Sequence, residues 1–167
     1  NAAFVDVGYD KDAFLHYLDL GPQFSSLNKF TKLTRGKKIF GKLEKFTLES
    51  DIDKHGKIGQ QLTKGQVLPV QIVKEPISTK GPRLSCELAL AGRYLVLVPF
   101  SSAVSVSKKI TSSEERKRLL RLIQSIKPEN FGVIIRTVAE GKEVAELDRD
   151  LRSMVKTWDE GMARLVS

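Results

Sequence analysis

Hydrophobic and polar positions alternate in several short stretches of the first part of the chain. Ala2–Val7 and Ala13–Leu15 are apolar runs on either side of the turn-rich segment GYDKD. Val67–Lys74 and Leu84–Leu90 alternate, and Leu84–Leu90 places its apolar residues on one face. A period of two residues is the pattern of a half-buried β-strand. Several short strands without helices between them favour a small β-barrel or sandwich.

The pattern changes near Gly92, where we place the domain boundary. Arg93–Phe100 and Val104–Lys109 predict two strands that pair with each other across the polar loop Ser101–Ala103. The apolar run in Gly132–Thr137 predicts a further, buried strand. That strand ends in an arginine and a threonine, so it brings a guanidinium and a hydroxyl to its rim.

Two helices are predicted in this second part. Thr111 and Glu114 have the spacing of a capping box, in which a hydroxyl accepts from backbone amides and a carboxylate reaches back to the cap. The helix that they begin would end at Pro128, and a last helix begins after Gly141. Apolar residues at three- and four-residue steps along the last helix predict packing against a core or a partner. They are Val144, Leu147, Leu151, Val155, Trp158, Met162 and Leu165.

The interval Pro22–Lys64 has a different composition from the segments around it. Between Lys29 and Lys64 there are ten Lys or Arg against four Asp or Glu, a local excess of six positive charges. The interval is too long for an ordinary loop, so we expect a structured insertion between strands. It interleaves aromatic with basic residues: Phe24, Phe30, Phe40 and Phe46 with Lys29, Lys32, Arg35, Lys37, Lys38, Lys42 and Lys45. A cationic surface that attracts RNA, a solubilising loop, and a contact with acidic protein or lipid all fit this pattern.

Composition limits the function further. The chain has 167 residues, 41% hydrophobic residues and a formal charge of +8, with a pI near 9.6. This excludes global disorder and favours polyanionic partners. No apolar stretch approaches the ~20 residues of a membrane span. The stretch NAAFVDV lacks the basic start and apolar run of a secretion signal, so we expect none. The lack of an initial Met indicates a piece of a longer protein. A single cysteine, Cys86, excludes an internal disulfide and fits a reducing cytoplasm.

Local catalytic motifs are weak. The run Asp51–His55 alternates oxygen ligands with an imidazole, but it lacks the glycine and terminal glutamate of a calcium loop, so a solvated loop is the better interpretation. Asp148 and Asp150 lie in the last helix beside arginines, and ordinary surface ion pairs are expected for both. Cys86 lies on the apolar side of its strand and predicts a packed thiol. No phosphate-loop or GxGxxG motif occurs.

Binding motifs are more informative. Phe4 and Phe14 lie on neighbouring predicted strands, where they form either a stacking platform for bases or part of the core. Lys80, in the turn ISTKGPR, either reaches a backbone phosphate or is simply exposed.

The arginine and threonine at the end of the buried strand, Arg136 and Thr137, also leave two interpretations open. They can bind an anion at the rim of the sheet. Alternatively, Arg136 can pair with Glu140 or Glu143.

Six sequence segments, in the order in which they occur, resemble the N-terminal catalytic half of the bacterial ribonuclease E/G family. They are AAFVDVG, DAFLHY, GQVLPVQIVKE, STKG, LALAGRYLVLVP and GVIIRT. The resemblance covers nearly the whole chain outside Pro22–Lys64. It implies an α+β fold, with an S1-like OB-type barrel over residues 1–90 that contains the basic insertion at about 22–64. Residues 91–167 would form most of a 5′-sensor subdomain and run into a ribonuclease H-like segment. The family's first barrel strand is expected before Asn1, so the barrel is either incomplete or completed by another chain.

The resemblance also assigns site residues. The sensor's phosphate-binding pair falls on Arg136 and Thr137, and the residues that shape the pocket for the terminal nucleotide fall on Gly92 and Val96. In the barrel, the RNA-contacting aromatics fall on Phe4 and Phe14, and the basic contact falls on Lys80. The implied ligand is single-stranded RNA with a 5′-monophosphate.

The catalytic Mg²⁺-binding carboxylates of the family, and the zinc-binding cysteines that link its protomers, belong to later segments. We therefore expect no catalytic residue, metal or cofactor in this chain, and expect self-association only in the intact enzyme. Two alternatives remain from the residues alone. One is a non-catalytic S1-like RNA-binding module of a translation or transcription factor. The other is a basic adaptor for an acidic protein or a membrane.

Overall fold

Short strands and longer helices are both present, so the fold is mixed α+β. The computed structural model describes residues 1–37 and 41–166, and the expectations for Lys38 and Phe40 lie outside these ranges. The described residues form two compact units. The first comprises Asn1–Leu33 and Glu49–Leu88, and the second comprises Thr34–Leu48 and Ala89–Ser167 as far as these are described.

The first unit is built on a four-stranded sheet with the order β1-β2-β4-β3. Its strands are β1 (Ala2–Val5), β2 (Ala13–His16), β3 (Gln71–Lys74) and β4 (Arg83–Ser85). β1 and β2 form an antiparallel pair, β2 is parallel to β4, and β3 is antiparallel to β4. Among the described strands the sheet is open, with β1 and β3 at its edges.

Part of the basic interval is helical. Helix α1 spans Phe24–Lys37, and a single turn, α2, spans Ile58–Gln61. Phe24, Leu27 and Phe30 of α1 are buried, and fully burying one such side chain contributes roughly 1.5–3 kcal/mol to stability. The start of the interval is therefore part of a core rather than only a solvated cationic loop.

The predicted strand Leu84–Leu90 is wrong in its extent. Strand β4 ends at Ser85, because the Cys86 amide turns away and donates to the Asp19 carbonyl at 2.8 Å. The Ser85 hydroxyl accepts from the Glu87 amide at 3.0 Å, a local side-chain turn that competes with continued pairing. The end of the predicted strand, Leu90–Ala91, forms the separate two-residue strand β5 of the second unit.

The second unit contains a sheet of order β5-β6-β8-β7. Its other strands are β6 (Leu95–Pro99), β7 (Val104–Val106) and β8 (Phe131–Ile135). The predicted pairing of β6 with β7 is wrong, because β8 lies between them, antiparallel to β6 and parallel to β7. All residues of β8 except Ile134 are buried, which suits the central position in the sheet.

Helix α3 (Ser113–Ile126) connects β7 to the parallel strand β8. Its cap differs from the predicted one, since Ser112, not Thr111, accepts from the Glu115 amide at 3.3 Å. The Glu115 carboxylate does not reach back to the cap. It accepts two bonds from Arg118, at 2.6 and 2.8 Å, because a bidentate guanidinium is a stronger donor than a neutral amide.

Helix α4 spans Val144–Ala163, so the predicted helix after Gly141 is confirmed. Most of its predicted stripe is buried, but Val144 is exposed and Met154 belongs to the buried face. Trp158 lies edge-to-face against Phe100 and Phe131, with ring centroids 5.7 and 6.3 Å apart. The stripe is thus core packing in the second unit.

Candidate nucleic-acid interface

An exposed aromatic pair lies on the sheet of the first unit. Phe4 and Phe14 are register partners on β1 and β2, and their ring centroids are 5.9 Å apart at an interplanar angle of 67°. Phe4 is 74% exposed and Phe14 is 36% exposed, so neither is a core residue. Aromatic rings held at the surface by a sheet offer faces on which the bases of single-stranded nucleic acid stack.

Basic residues outnumber acidic ones, four to two, in the lining of the groove that contains this pair. A groove of about 1110 Å³ is lined by both phenylalanines and by Lys11, Lys80 and Arg83, among others. The Arg83 guanidinium donates to Asp19 from Nε and Nη2, at 2.9 and 3.1 Å, and this carboxylate raises the pKa of Arg83. By contrast, the Lys80 side chain has no hydrogen-bond or ion-pair partner among the described residues.

The turn that presents Lys80 requires a glycine. Ile77 and Lys80 exchange backbone hydrogen bonds at 2.9 and 3.1 Å. A Cβ on Gly81 would lie 2.0 Å from the Asp12 carbonyl oxygen, so the turn packs backbone to backbone against the connection between β1 and β2. This close approach holds Lys80 in the lining of the groove that also contains Phe14.

A second candidate site lies at the end of β8 in the second unit. The Arg136 side chain is exposed, and its Nη1 donates to the carbonyl oxygens of Gly92 and Arg93, at 2.9 and 3.3 Å. It forms no ion pair with Glu140 or Glu143, so that alternative is wrong. Its Nε and Nη2 have no partner among the described residues.

A hydroxyl pair lies at the same end of β8, formed by the residue after Arg136 and the residue after β7. The Thr137 Oγ1 lies 2.7 Å from the Ser107 Oγ, and Ser107 directly follows β7. The parallel pairing of β7 and β8 ends at Val106 and Ile135. The residues that follow the two strands, Ser107 and Arg136–Thr137, therefore lie at the same end of the sheet. Sequence reasoning missed Ser107, because its partner is thirty residues away in the chain.

Gly92 and Val96 lie at the same end of the sheet. Gly92 is in the turn between β5 and β6, and its amide donates to the Leu95 carbonyl at 2.8 Å. Val96 is paired with Ile134 of β8, so their side chains are on the same, open face of the sheet. The structure therefore brings Gly92, Val96, Arg136 and Thr137 to one end of one sheet.

Asp150 is the residue whose predicted environment is most clearly wrong. Asp148 forms the expected surface pair, with the Arg152 Nε at 2.9 Å. The Asp150 carboxylate instead accepts from the backbone amides of the turn between β5 and β6. A usable signal exists in the sequence, since Asp150 is three residues after the buried Leu147 and lies beside the buried stripe of α4.

The described residues contain no group of three His, Cys, Asp or Glu side chains that could hold a metal ion. Asp51–His55 is largely exposed, as expected for a solvated loop. Cys86 is buried, which confirms a packed thiol, and burial together with the Asp19 charge raises its pKa to about 12. At this pKa the nucleophilic thiolate form is scarce at neutral pH.

Within the described ranges, none of the helices combines the length and the apolar character needed to cross a membrane.

Comparison with known proteins gives consistent matches. The profile described as "Ribonuclease E/G family" matches residues 89–166. Ribonuclease G of Escherichia coli strain K12 is 39% identical over 163 residues, which cover 98% of this chain and 30% of that protein. The chain belongs to the ribonuclease E/G family.

Other members match with similar coverage. Ribonuclease G of Haemophilus influenzae is 35% identical over 163 residues, again 98% of this chain. Ribonuclease E of Nostoc sp. PCC 7120 is 36% identical over 160 residues, which cover 95% of this chain and 20% of that protein. The chain thus spans about a third or less of the length of these ribonucleases.

Proposed function

We propose that this chain is the RNA-binding and 5′-monophosphate-sensing part of an endoribonuclease that acts in RNA processing and decay. The proposal rests on family membership and on one observation, the open side of Arg136. Its Nη1 is held by two carbonyl oxygens, while Nε and Nη2 have no described partner. These two nitrogens donate in parallel, which is the geometry that a phosphate accepts best.

The terminal phosphate would complete the site as follows. Its oxygens accept from Nε and Nη2 of Arg136, and the Thr137 hydroxyl supplies a further donor, oriented by Ser107. Gly92 and Val96 would border the terminal nucleotide. A 5′-hydroxyl end lacks these acceptor oxygens, so it forms none of the charge-assisted bonds. A triphosphate is bulkier, and the pocket would discriminate against it by shape.

In the first unit, we propose that bases stack on Phe4 and Phe14 while Lys80 contacts the backbone. The exposure of both rings and of the lysine supports this assignment. We also propose that residues 1–90 form the S1-like OB barrel that the family implies, and that residues 91–167 form most of the 5′-sensor subdomain. This surface would bind RNA without regard to its 5′ end.

Hydrolysis is assigned to other parts of the parent enzyme. The described residues contain no cluster of three metal-binding side chains, and we propose no Mg²⁺-dependent step for them. The catalytic Mg²⁺ and the inter-protomer Zn²⁺ would be held outside this chain, where self-association would also arise. We place the parent enzyme in the cytoplasm, which the buried free cysteine and RNA as a ligand support.

The test compares affinities for one oligoribonucleotide with a 5′-monophosphate or a 5′-hydroxyl. We expect tighter binding of the monophosphate, and Arg136→Ala should abolish this preference while leaving 5′-hydroxyl binding unchanged. Arg152→Ala is a matched control, because Arg152 pairs with Asp148 on the same unit and should not change the preference. Equal affinities for both ends, unaffected by Arg136→Ala, would contradict the sensor and favour a plain RNA-binding module.

A further inference from the structure

Asp150 and Arg136 lie on opposite sides of the same turn. The Asp150 carboxylate accepts from the amides of Arg93, Tyr94 and Leu95, at 2.9, 2.9 and 3.0 Å. Three amide donors on one carboxylate are a strong, charge-assisted arrangement. They fix the direction of three successive peptide planes in the turn between β5 and β6.

The carbonyl groups of those same peptide planes all accept from Arg136. The Arg93 amide shares its plane with the Gly92 carbonyl, and the Tyr94 amide shares its plane with the Arg93 carbonyl. Both carbonyls accept from the Arg136 Nη1. The Leu95 amide shares its plane with the Tyr94 carbonyl, which accepts from the Arg136 amide at 2.9 Å.

A trans peptide is planar, and its N–H and C=O point in opposite directions. Each of the three planes therefore connects the Asp150 carboxylate on one side to Arg136 on the other. Hydrogen bonds in such chains polarise one another, so the carboxylate strengthens the carbonyls as acceptors. Rotation of any plane away from Asp150 would also turn its carbonyl away from Arg136.

Gly92 fits the same arrangement. A Cβ at this position would lie 2.6–2.9 Å from the carboxylate atoms of Asp150. A side chain there would push the carboxylate out of reach of the amides. Gly92 therefore leaves room for Asp150 to approach the turn.

We infer that Asp150 is a positioning residue for the 5′-phosphate site, and that it acts through the Gly92–Leu95 turn to hold Arg136 with Nε and Nη2 open. This inference rests on the proposed function and assigns a role to a residue that does not itself contact the phosphate. An anion in direct contact with the phosphate would oppose binding. Behind three peptide planes, the carboxylate instead orients the guanidinium.

The test measures the ratio of affinities for the 5′-monophosphate and 5′-hydroxyl forms of one oligoribonucleotide. In Asp150→Asn the side chain keeps one acceptor oxygen but turns an amide donor toward N–H groups. We expect the ratio to fall about 10-fold, by analogy with the loss of a hydrogen-bond partner that orients a metal ligand. The affinity for the 5′-hydroxyl form should stay unchanged, whereas a merely structural role would lower both affinities.

Asp148→Asn is the matched control, because Asp148 is two residues away on α4 and pairs only with Arg152 among the described residues. It should leave the ratio unchanged. The double variant Arg136→Ala/Asp150→Asn should have the ratio of Arg136→Ala alone, because Asp150 acts through Arg136. If Asp150→Asn does not fold, Asp150→Glu, which keeps the charge but displaces the carboxylate, should lower the ratio in the same way.

The outcomes separate the two claims. If folded Asp150 variants keep the parent ratio while Arg136→Ala lowers it, the positioning role is wrong and the proposed function stands. If Arg136→Ala itself leaves the ratio unchanged, the proposed function fails. If the double variant has a lower ratio than Arg136→Ala, Asp150 does not act through Arg136 and the inference is overturned.

Discussion

Arg118 and Arg136 both belong to the second unit, but they use their guanidinium groups in opposite ways. Arg118 directs Nε and Nη2 at Glu115, and this carboxylate raises the pKa of Arg118. In Arg136, Nη1 is held by backbone carbonyls, and Nε and Nη2 are open. Arg83 in the first unit repeats the first pattern, with Asp19 as its carboxylate.

The difference separates an arginine that stabilises the fold from one that is prepared for an external anion. Where a carboxylate of the chain occupies Nε and Nη2, that side-on donor pair is not available to a ligand. In Arg136, backbone carbonyls bind Nη1 and leave the Nε and Nη2 pair open. The side chain is then already ordered before a ligand binds, so binding costs less conformational entropy.

The largest effect is expected from replacing the planar group while keeping the charge. Arg136→Lys removes the parallel donors, and one ammonium cannot both donate to the carbonyls of the turn and bind a phosphate bidentately. We expect the monophosphate preference to fall by about 10-fold or more, since hydrogen bonds to charged groups are worth about 1.5–3 kcal/mol each. Competition binding with both oligonucleotide forms measures it.

Arg118→Lys is the control for that experiment. It should lower the melting temperature, because the bidentate pair with Glu115 is lost, and leave the end preference unchanged. A similar loss of preference in both lysine variants would show that the two arginines do not differ as described.

The next prediction concerns the first unit. Phe14→Ala should weaken binding of both oligonucleotide forms by about 1–3 kcal/mol, the usual value for loss of one base–aromatic stack. Leu18→Ala is a suitable control, because Leu18 is also exposed and apolar but does not line the groove. An effect of Phe14→Ala on only the monophosphate form would contradict the separate roles of the two units.

The smallest effect concerns the structural arginine. The hydrogen bonds from Arg118, and to a smaller extent the one from the Gly141 amide, lower the pKa of Glu115 from 4.5 to about 2. Because the folded-state pKa is depressed, the ionised carboxylate stabilises the fold above pH 4.5, and this contribution is lost as the pH falls toward 2. Glu115→Gln should therefore lower the free energy of unfolding by about 1 kcal/mol at neutral pH, and this difference should shrink in acid.

Denaturant unfolding over that pH range measures the difference. Glu114→Gln is the neighbouring control, since Glu114 is exposed and has no ion pair among the described residues. A Glu115→Gln difference that stays constant down to pH 2 would contradict the assigned cause.

The sequence predicted local features better than distant ones. The strand before Arg136 and the helix after Gly141 were predicted, because their periodic patterns are local. The position of β8 between β6 and β7 could not be predicted, since strand order depends on pairing between distant segments. The position of Asp150 beside the apolar stripe of α4 indicated a packed environment, but its partners are 55 to 57 residues away and could not be identified from the sequence.

The family motifs indicated the site residues better than the patterns of hydrophobic and charged residues did. From the residues alone, an ion pair of Arg136 with Glu140 or Glu143 was the favoured interpretation, and the structure excludes it because the guanidinium donates to the carbonyls of the Gly92 turn. Similarly, spacing alone favoured a core position for Phe4 and Phe14, and only the family resemblance indicated the surface position that the structure has. Their exposure follows from which face of the sheet packs against the rest of the first unit.

The central claim is that Nε and Nη2 of Arg136 bind the 5′-phosphate. The most direct measurement is the arginine Nε–H resonance in ¹H–¹⁵N NMR spectra during titration with each oligonucleotide form. We predict that the Arg136 Nε–H resonance shifts with the 5′-monophosphate form and not with the 5′-hydroxyl form, while the Arg118 Nε–H resonance stays in place with both. An Arg136 resonance that responds equally to both forms, or to neither while the RNA is bound, would contradict the account.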